Sequence, residues 1–276
     1  MTTAIATAVE EGTLPGRVWM YSNYHCNLAC SYCLTESAPQ SPRRQLASDH
    51  MVEVATEAKE LGFTSVGITG GEPFLRPDLP DLLATLAGIL PVVVLTNATL
   101  FNDARLARLQ ALAGAPVQVQ VSLDHPDPVP NDEMRGPGNF AKVIEAVPRL
   151  VGMGIHVRIA TTAEHIDGED RARLCALHRD LGVSDDDHIV RPIVRRGRAV
   201  DFGLGVEAGP PDLPAELTIT ADGAFWSPFG PTVHQDRLDL DLLITRTTRP
   251  LATPAAALLR LVEGRPPGED TQLNIR

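Results

Sequence analysis

Cysteine is scarce in this chain, four residues in 276, and lysine is scarcer still, with only Lys59 and Lys142 against 22 arginines. So few thiols cannot build the disulfide framework of a small secreted scaffold. No run approaches the eighteen or so apolar residues that a membrane-spanning helix needs. The first fourteen residues carry Glu10 and Glu11 and no basic region ahead of an apolar core, so they do not form a secretory signal. Positive charge is in deficit as well: the formal net charge is -11, which argues against a nucleic-acid backbone as the main partner. What is present, 43% hydrophobic and 21% charged residues, suits one large α/β domain or a domain with a small appendage.

The few cysteines are not spread evenly. Three fall within eight residues, Cys26-Asn27-Leu28-Ala29-Cys30-Ser31-Tyr32-Cys33, spaced C-x3-C-x2-C just after the strand-like run at 17–21. Thiolates this close in sequence can converge on one inorganic centre. A structural zinc site takes four protein ligands, whereas a cubane held by three leaves one iron open to another ligand. A zinc knuckle completed by His25 or by the distant Cys175 is the alternative. Downstream, after a second strand-like run, comes Gly67-Ile68-Thr69-Gly70-Gly71-Glu72-Pro73.

Periodicity predicts a repeating strand–helix unit. Ser48 or Asp49 would cap a helix with Met51, Val54, Ala55, Ala58 and Leu61 on one face and Gly62 at its stop. Strands over 63–69, 92–95, 116–123, 155–162 and 188–194 alternate with helices over 78–90, 102–113, 140–151 and 169–181. Pro148 should kink or shorten the third of these. Six strands alternating with helices imply parallel pairing through right-handed crossovers. Residues 1–16 read as a loose tail, 17–200 as the α/β body and 201–276 as a C-terminal extension.

Within the strands, period two puts Val117, Val119 and Val121 on one face and Gln118, Gln120, Ser122 and Asp124 on the other. His156, Arg158 and Thr162 repeat the pattern, and Arg191 and Arg195 follow. A solvated outer face would account for one antiparallel strand. In consecutive parallel strands helices cover the outer face, so the polar residues line a lumen, and a polar lumen is a substrate cavity. Gln118, Gln120, Arg158 and Arg191 are the candidate substrate contacts; the two arginines would hold a carboxylate or phosphate, or pair internally with a barrel carboxylate. Cys175, beside Leu174 and Leu177, reads as a buried inert thiol outside the barrel.

The C-x3-C-x2-C spacing with Tyr32 before the last cysteine, followed by Gly70-Gly71-Glu72-Pro73, resembles the signature of the radical S-adenosylmethionine (radical SAM) superfamily. The resemblance implies a partial (β/α)6 barrel with its site at the carboxyl ends of the strands. It implies that Cys26, Cys30 and Cys33 each hold one iron of a [4Fe–4S] cluster whose fourth iron chelates S-adenosylmethionine (AdoMet). Reduction of the sulfonium would give methionine and a 5′-deoxyadenosyl radical, with a flavodoxin- or ferredoxin-type protein as external electron donor. AdoMet contacts would come from Tyr32, from Gly70, Gly71 and Glu72, from Asn97, Ser122 and Asp124 toward the ribose, and from Arg135 toward the carboxylate. His125-Pro126 stands where the family usually has glycine. Ordinary loop hydrogen bonding is the other reading of Asn97, Ser122, Asp124 and Arg135.

Past residue 194, a Gly- and Pro-rich connection leads to a hairpin turning at Asp222-Gly223, a strand over 238–244 and a closing helix over 255–262. This tail resembles the small SPASM-like or twitch extension of radical SAM enzymes that modify peptides and small metabolites. It departs from them in lacking the auxiliary-cluster cysteines: Ser227 follows the hairpin, and no cysteine lies beyond Cys175. One cluster is therefore expected, which favours a redox-neutral modification over net oxidation. The substrate would be a peptide or a small polar metabolite. No stretch before Arg17 is long enough for a leader-binding domain, so a peptide would need a separate partner or unaided recognition. An oxygen-sensitive cluster points to the cytoplasm. A non-catalytic cluster- or partner-binding module and a zinc-binding protein are the rival readings.

Overall fold

A computed structural model describes residues 2–264. It opens with a helix, α1 (Thr2–Glu10), followed by β1 (Arg17–Asn23), α2 (Ser48–Glu60), β2 (Ser65–Gly70), α3 (Leu79–Ala87), β3 (Val92–Thr96) and α4 (Asp103–Leu109). The chain continues through β4 (Val117–Ser122), α5 (Pro128–Arg135), α6 (Asn139–Gly152), β5 (His156–Ala163), α7 (Gly168–Asp180) and β6 (His188–Pro192). Strands β1 to β6 pair parallel in chain order. Val117, Val119 and Val121 are buried, as period two requires of a sheet whose outer face is covered by helices.

A short helix, α8 (Arg198–Asp201), precedes β7 (Thr218–Ile219), β8 (Ala224–Phe225), β9 (Val233–His234), β10 (Arg237–Leu238), β11 (Leu243–Thr245) and α9 (Ala252–Glu263). The sheet runs β11-β8-β7-β1-β2-β3-β4-β5-β6, so β6 is an edge and the (β/α)6 barrel is partial. The hairpin turns at the expected place, Gly223 taking a φ of +149° between the antiparallel β7 and β8. Among the described residues no helix is long and apolar enough to cross a membrane.

Several expectations need correction. The loose tail is instead helix α1, whose Ile5 and Ala8 are buried and join one continuous core with Leu251 and Leu258. The C-terminal extension, expected as a hairpin and a helix, is built onto the barrel sheet, β7 pairing parallel with β1. The strand anticipated over 238–244 divides between β10 and β11, which belong to different sheets. Neither Ser48 nor Asp49 caps α2: Ala47 holds that position without a side-chain bond. Ser48 Oγ is engaged instead with Asp78 and with Arg76 Nη2, the latter at 2.5 Å. Helix α6 runs through Pro148, which is exposed, so the ladder bond it forgoes faces solvent. Helix α5 was not anticipated; Pro128 sits at its first position, where a missing N–H costs nothing.

Candidate active site

The loop from Asn23 to Ser37 leaves β1 at its carboxyl end and is fastened by main-chain bonds. Cys26 N donates to Ala38 O at 3.4 Å, Ser31 N to Met134 O at 2.9 Å, and Arg198 N to Cys33 O at 3.0 Å. The Arg198 side chain adds donors to Cys30 O (2.6 Å), Glu36 O (2.7 Å) and Ser37 O (3.2 Å). Gly197 makes that approach possible: its φ is +56°, and a Cβ there would stand 2.3 Å from Leu34 O. Fastened in this way, Cys26, Cys30 and Cys33 all face one cavity of about 200 Å³ of water-accessible space.

The turn after β2 is built onto the same loop. Gly71 N donates to Asn23 O and Glu72 N to His25 O, each at 2.9 Å. Side chains are excluded by this contact, since a Cβ on Gly70 would lie 2.1 Å from Asn23 O and one on Gly71 2.2 Å from His25 O. Glu72 is fully buried; it accepts from Phe74 N (2.9 Å), Thr96 Oγ1 (2.9 Å) and Asn97 N (2.8 Å). Burial raises its pKa while these donors oppose the shift. The carboxylate therefore locks the β2 turn to the end of β3 from behind the cavity wall.

The remaining sequence-selected residues divide. Gly70, Gly71, Asn97, Ser122, Arg135 and Tyr32 line the cavity. Asn97 is already occupied, its Nδ2 donating to Asn27 Oδ1 at 3.0 Å and its Oδ1 accepting from Thr99 N at 3.0 Å. Asp124, assigned to the ribose, stands behind the wall instead. It forms a buried ion pair with Arg135 (3.0 Å) and accepts from Tyr32 OH (2.5 Å) and Thr162 N (2.9 Å). Burial lifts the Tyr32 phenol well above its ordinary range, so it acts as a donor.

Arg191 lines the cavity with Thr162, but Gln118, Gln120 and Arg158 do not. Gln118 lies toward the amino ends of the strands, against the exposed His156 ring (3.4 Å). Gln120 is buried with Nε2 unbonded. The internal ion pairs that were the alternative for the two arginines are absent among the described residues: neither Arg158 nor Arg191 makes a hydrogen bond or ion pair there, and the Nε of each is sealed without an acceptor. Two contributors escaped the sequence reading. Arg198 lay in a stretch read only as connection, and Asn23, whose Nδ2 bridges His25 O (2.9 Å) and Glu72 O (3.1 Å), fell between the strand-like run at 17–21 and the cysteine motif.

The thiols fit an iron–sulfur cubane better than a single ion. Among the described residues only Glu36, Asp201 and His234 bring three ligand atoms within 4.8 Å of one another. The three sulfurs are thus spread wider than the roughly 3.8 Å that tetrahedral bonds of about 2.3 Å would impose. His25 Nδ1 is directed to Ser41 O (3.3 Å), and Cys175 packs against His188, Sγ to Nδ1 3.9 Å, away from the cavity. Burial, with the Glu72 charge adding to it, pushes the Cys26 thiol up to about 12, and burial, opposed by Arg135, pushes the Cys30 thiol up to about 11. Only a bound cationic centre would keep them ionised.

Comparison with known proteins agrees with this geometry. The Radical SAM superfamily model matches residues 20–181. The chain belongs to the radical SAM superfamily. Its members use a [4Fe–4S] cluster and AdoMet, and the three cysteines and the Gly70-Gly71 turn of this radical SAM chain line one cavity. It is 34% identical over 131 residues to a probable GTP 3′,8-cyclase of Archaeoglobus fulgidus, covering 47% of this chain and 43% of that one. It is 28% identical over 232 residues to the mycofactocin maturase MftC of Mycolicibacterium smegmatis, covering 83% and 51%. The chain spans about half the length, or less, of these curated relatives. Among solved structures, Streptococcus suis SuiB bound to precursor peptide SuiA superposes with a TM-score of 0.59 at 19% identity, covering 76% of this chain and 47% of SuiB. Native anSMEcpe with bound AdoMet and Cp18Cys peptide gives 0.59 at 13% identity, covering 89% and 83%. Both likenesses are of fold.

Proposed function

We propose that this chain is a radical SAM enzyme that cleaves AdoMet reductively at one [4Fe–4S] cluster and modifies a peptide or a small polar metabolite. The carrying observation is that Cys26, Cys30, Cys33, Gly70, Gly71 and Arg191 face a single cavity at the carboxyl ends of the strands. When bound, the cluster and AdoMet supply a 5′-deoxyadenosyl radical, and the protein contributes aim and exclusion of water. Cys26, Cys30 and Cys33 would each hold one iron. The Gly70-Gly71 backbone, kept free of side chains, would accept the AdoMet ammonium, and Ser122 offers a hydroxyl toward the ribose. Arg135 would reach the AdoMet carboxylate while still paired to Asp124.

The peptide reading draws support from the maturase relatives and from the peptide-bound fold neighbours; the nucleotide cyclase relative supports the metabolite reading. Cys175 lies away from the cavity, which supports a single cluster and a redox-neutral outcome such as epimerisation or rearrangement. The electron would come from a flavodoxin- or ferredoxin-type donor. Anaerobically reconstituted protein given dithionite and AdoMet should release 5′-deoxyadenosine. Cys26→Ala, Cys30→Ala and Cys33→Ala should each abolish the brown chromophore and the product, and Cys175→Ala should abolish neither. Tight zinc binding by a colourless protein that leaves AdoMet intact would return the zinc reading.

A further inference from the structure

The other strongly held arginines of the molecule are matched. Arg76 pairs with Asp78 at 2.9 Å, Arg135 with Asp124, and Arg196 with Asp241 at 2.6 Å and Asp239 at 3.1 Å; Arg198 is held by three main-chain carbonyls. Arg191 differs. It lines the cysteine cavity, its Nε is shut off from solvent without an acceptor, and among the described residues it makes no hydrogen bond or ion pair.

The acids within its electrostatic reach are already committed. Asp124 receives Arg135, Tyr32 OH and Thr162 N. Glu216, buried on the other side, accepts from Trp19 Nε1 at 2.8 Å. Arg135 and Arg158, of like sign, also act on Arg191, so the charge of Arg191 is left without a counterion in a site partly closed to water. Keeping an unpaired guanidinium there is costly. Its flat fork of donors is matched by the two oxygens of a carboxylate or phosphate.

We propose that Arg191 is the docking point for an oxyanion carried by the substrate, so that the substrate class is anionic: a phosphorylated metabolite or a peptide presenting a carboxylate. This rests on the enzyme reading given above. The substrate, rather than AdoMet, is the assigned source because Arg191 sits on the edge strand β6, with β3, β4 and β5 between it and the strand that ends at Gly70. The turn that would take the AdoMet methionine group is on β2, next to the cysteine loop. Thr162, the register partner of Arg191, faces the same cavity and adds a hydroxyl beside the guanidinium.

The test is calorimetric titration of reconstituted, AdoMet-saturated protein with inorganic phosphate and, separately, with acetate at constant ionic strength. The parent should bind at least one of them saturably. Arg191→Met should weaken that Kd about tenfold or more, the loss expected on removing a charge-assisted hydrogen bond. Arg191→Lys should fall between, and Arg260→Met, on an exposed helix face, should match the parent. Much tighter phosphate than acetate assigns a phosphorylated metabolite, and comparable binding assigns a carboxylate. Cluster absorbance and melting temperature check that each variant is folded, and the lysine variant serves if the methionine one is not. The proposal is overturned if the parent binds neither anion, if Arg191→Met binds as the parent does, or if AdoMet itself abolishes binding seen without it. Release of 5′-deoxyadenosine by the same preparation separates the two claims: anion binding absent with the product present defeats only this inference, and a parent that makes no product defeats the enzyme reading.

Discussion

Arg135 and Arg158 stand in opposite electrostatic circumstances. Arg135 and Asp124 are both almost wholly buried and 3.0 Å apart, so Arg135→Met strands a carboxylate and should cost about 3–5 kcal/mol in urea unfolding. Arg158 has no such partner, and Arg158→Met should change stability by less than about 1 kcal/mol; a loss as large as that of Arg135→Met would mean that a counterion has been overlooked. Strand alternation put Arg158 and Arg191 on the polar face of their strands. It could not say how deep the cavity reaches, and so Gln118, Gln120 and Arg158 were counted as lining it. His178 left no mark in the sequence at all. It is fully buried, neither ring nitrogen is bonded, and it stands edge-on to His188 with centroids 4.3 Å apart. Burial, and then the neighbouring His188, hold its pKa down at about 3 against 6.5 when unfolded; burial and Arg171 lower His188 too. The unfolded chain therefore takes up protons that the folded chain refuses. The associated stability is complete above 6.5 and is lost as pH falls toward 3. Between about pH 7 and about pH 5.5 the His178 share is about 1 kcal/mol, and His178→Leu should flatten the melting temperature against pH over that interval.

At the scale of elements, the cysteine motif was legible because its three ligands are neighbours in sequence, and the glycine motif because two consecutive glycines before Glu-Pro are rarely accidental. What holds them was not legible. Arg198 reaches Cys30 O across a separation of 168 residues, and nothing local to Gly197-Arg198 announces a clamp. If the clamp positions the loop, Arg198→Met should lower iron per chain and 5′-deoxyadenosine formation several-fold while leaving the far-ultraviolet dichroism unchanged. Arg195→Met, which gives up main-chain contacts to Leu204 O and Gly205 O only within its own connection, should not. Equal iron in both variants would reduce Arg198 to a surface brace. Helix α5 also went unpredicted: Pro128 and Pro130 fall in its first turn and interrupt any local helical signal, although proline there is compatible with the helix. Yet α5 carries Arg135, and Met134 O receives Ser31 N, so an element hidden by its prolines supports the cysteine loop.

For the molecule as a whole, the alternation of strands and helices was readable because each unit repeats two periods, 2 and 3.6. The parts that finish the barrel repeat nothing. Helix α1 is short and apolar on one side, and β7 contributes two residues that reach β1 only through the fold. The same global view bears on how many clusters the four thiols can hold. Cys175 sits on α7, and its Sγ faces His188 Nδ1. The other ring nitrogen of that histidine meets Thr161 Oγ1 at 3.0 Å. Thr161 is fully buried on the helix-covered face of β5, whereas its neighbour Thr162 faces the cavity. A sheet therefore separates the fourth thiol from the other three, and it can join neither their cluster nor, alone, a second one. Reconstituted protein should bind about four irons per chain, the content of one [4Fe–4S] centre. Cys175→Ala should leave that figure unchanged, and each of Cys26→Ala, Cys30→Ala and Cys33→Ala should sharply lower it. A reproducible value near eight in the parent, falling by half in Cys175→Ala, would instead require a second centre on the helical face and would reopen oxidative chemistry for this chain.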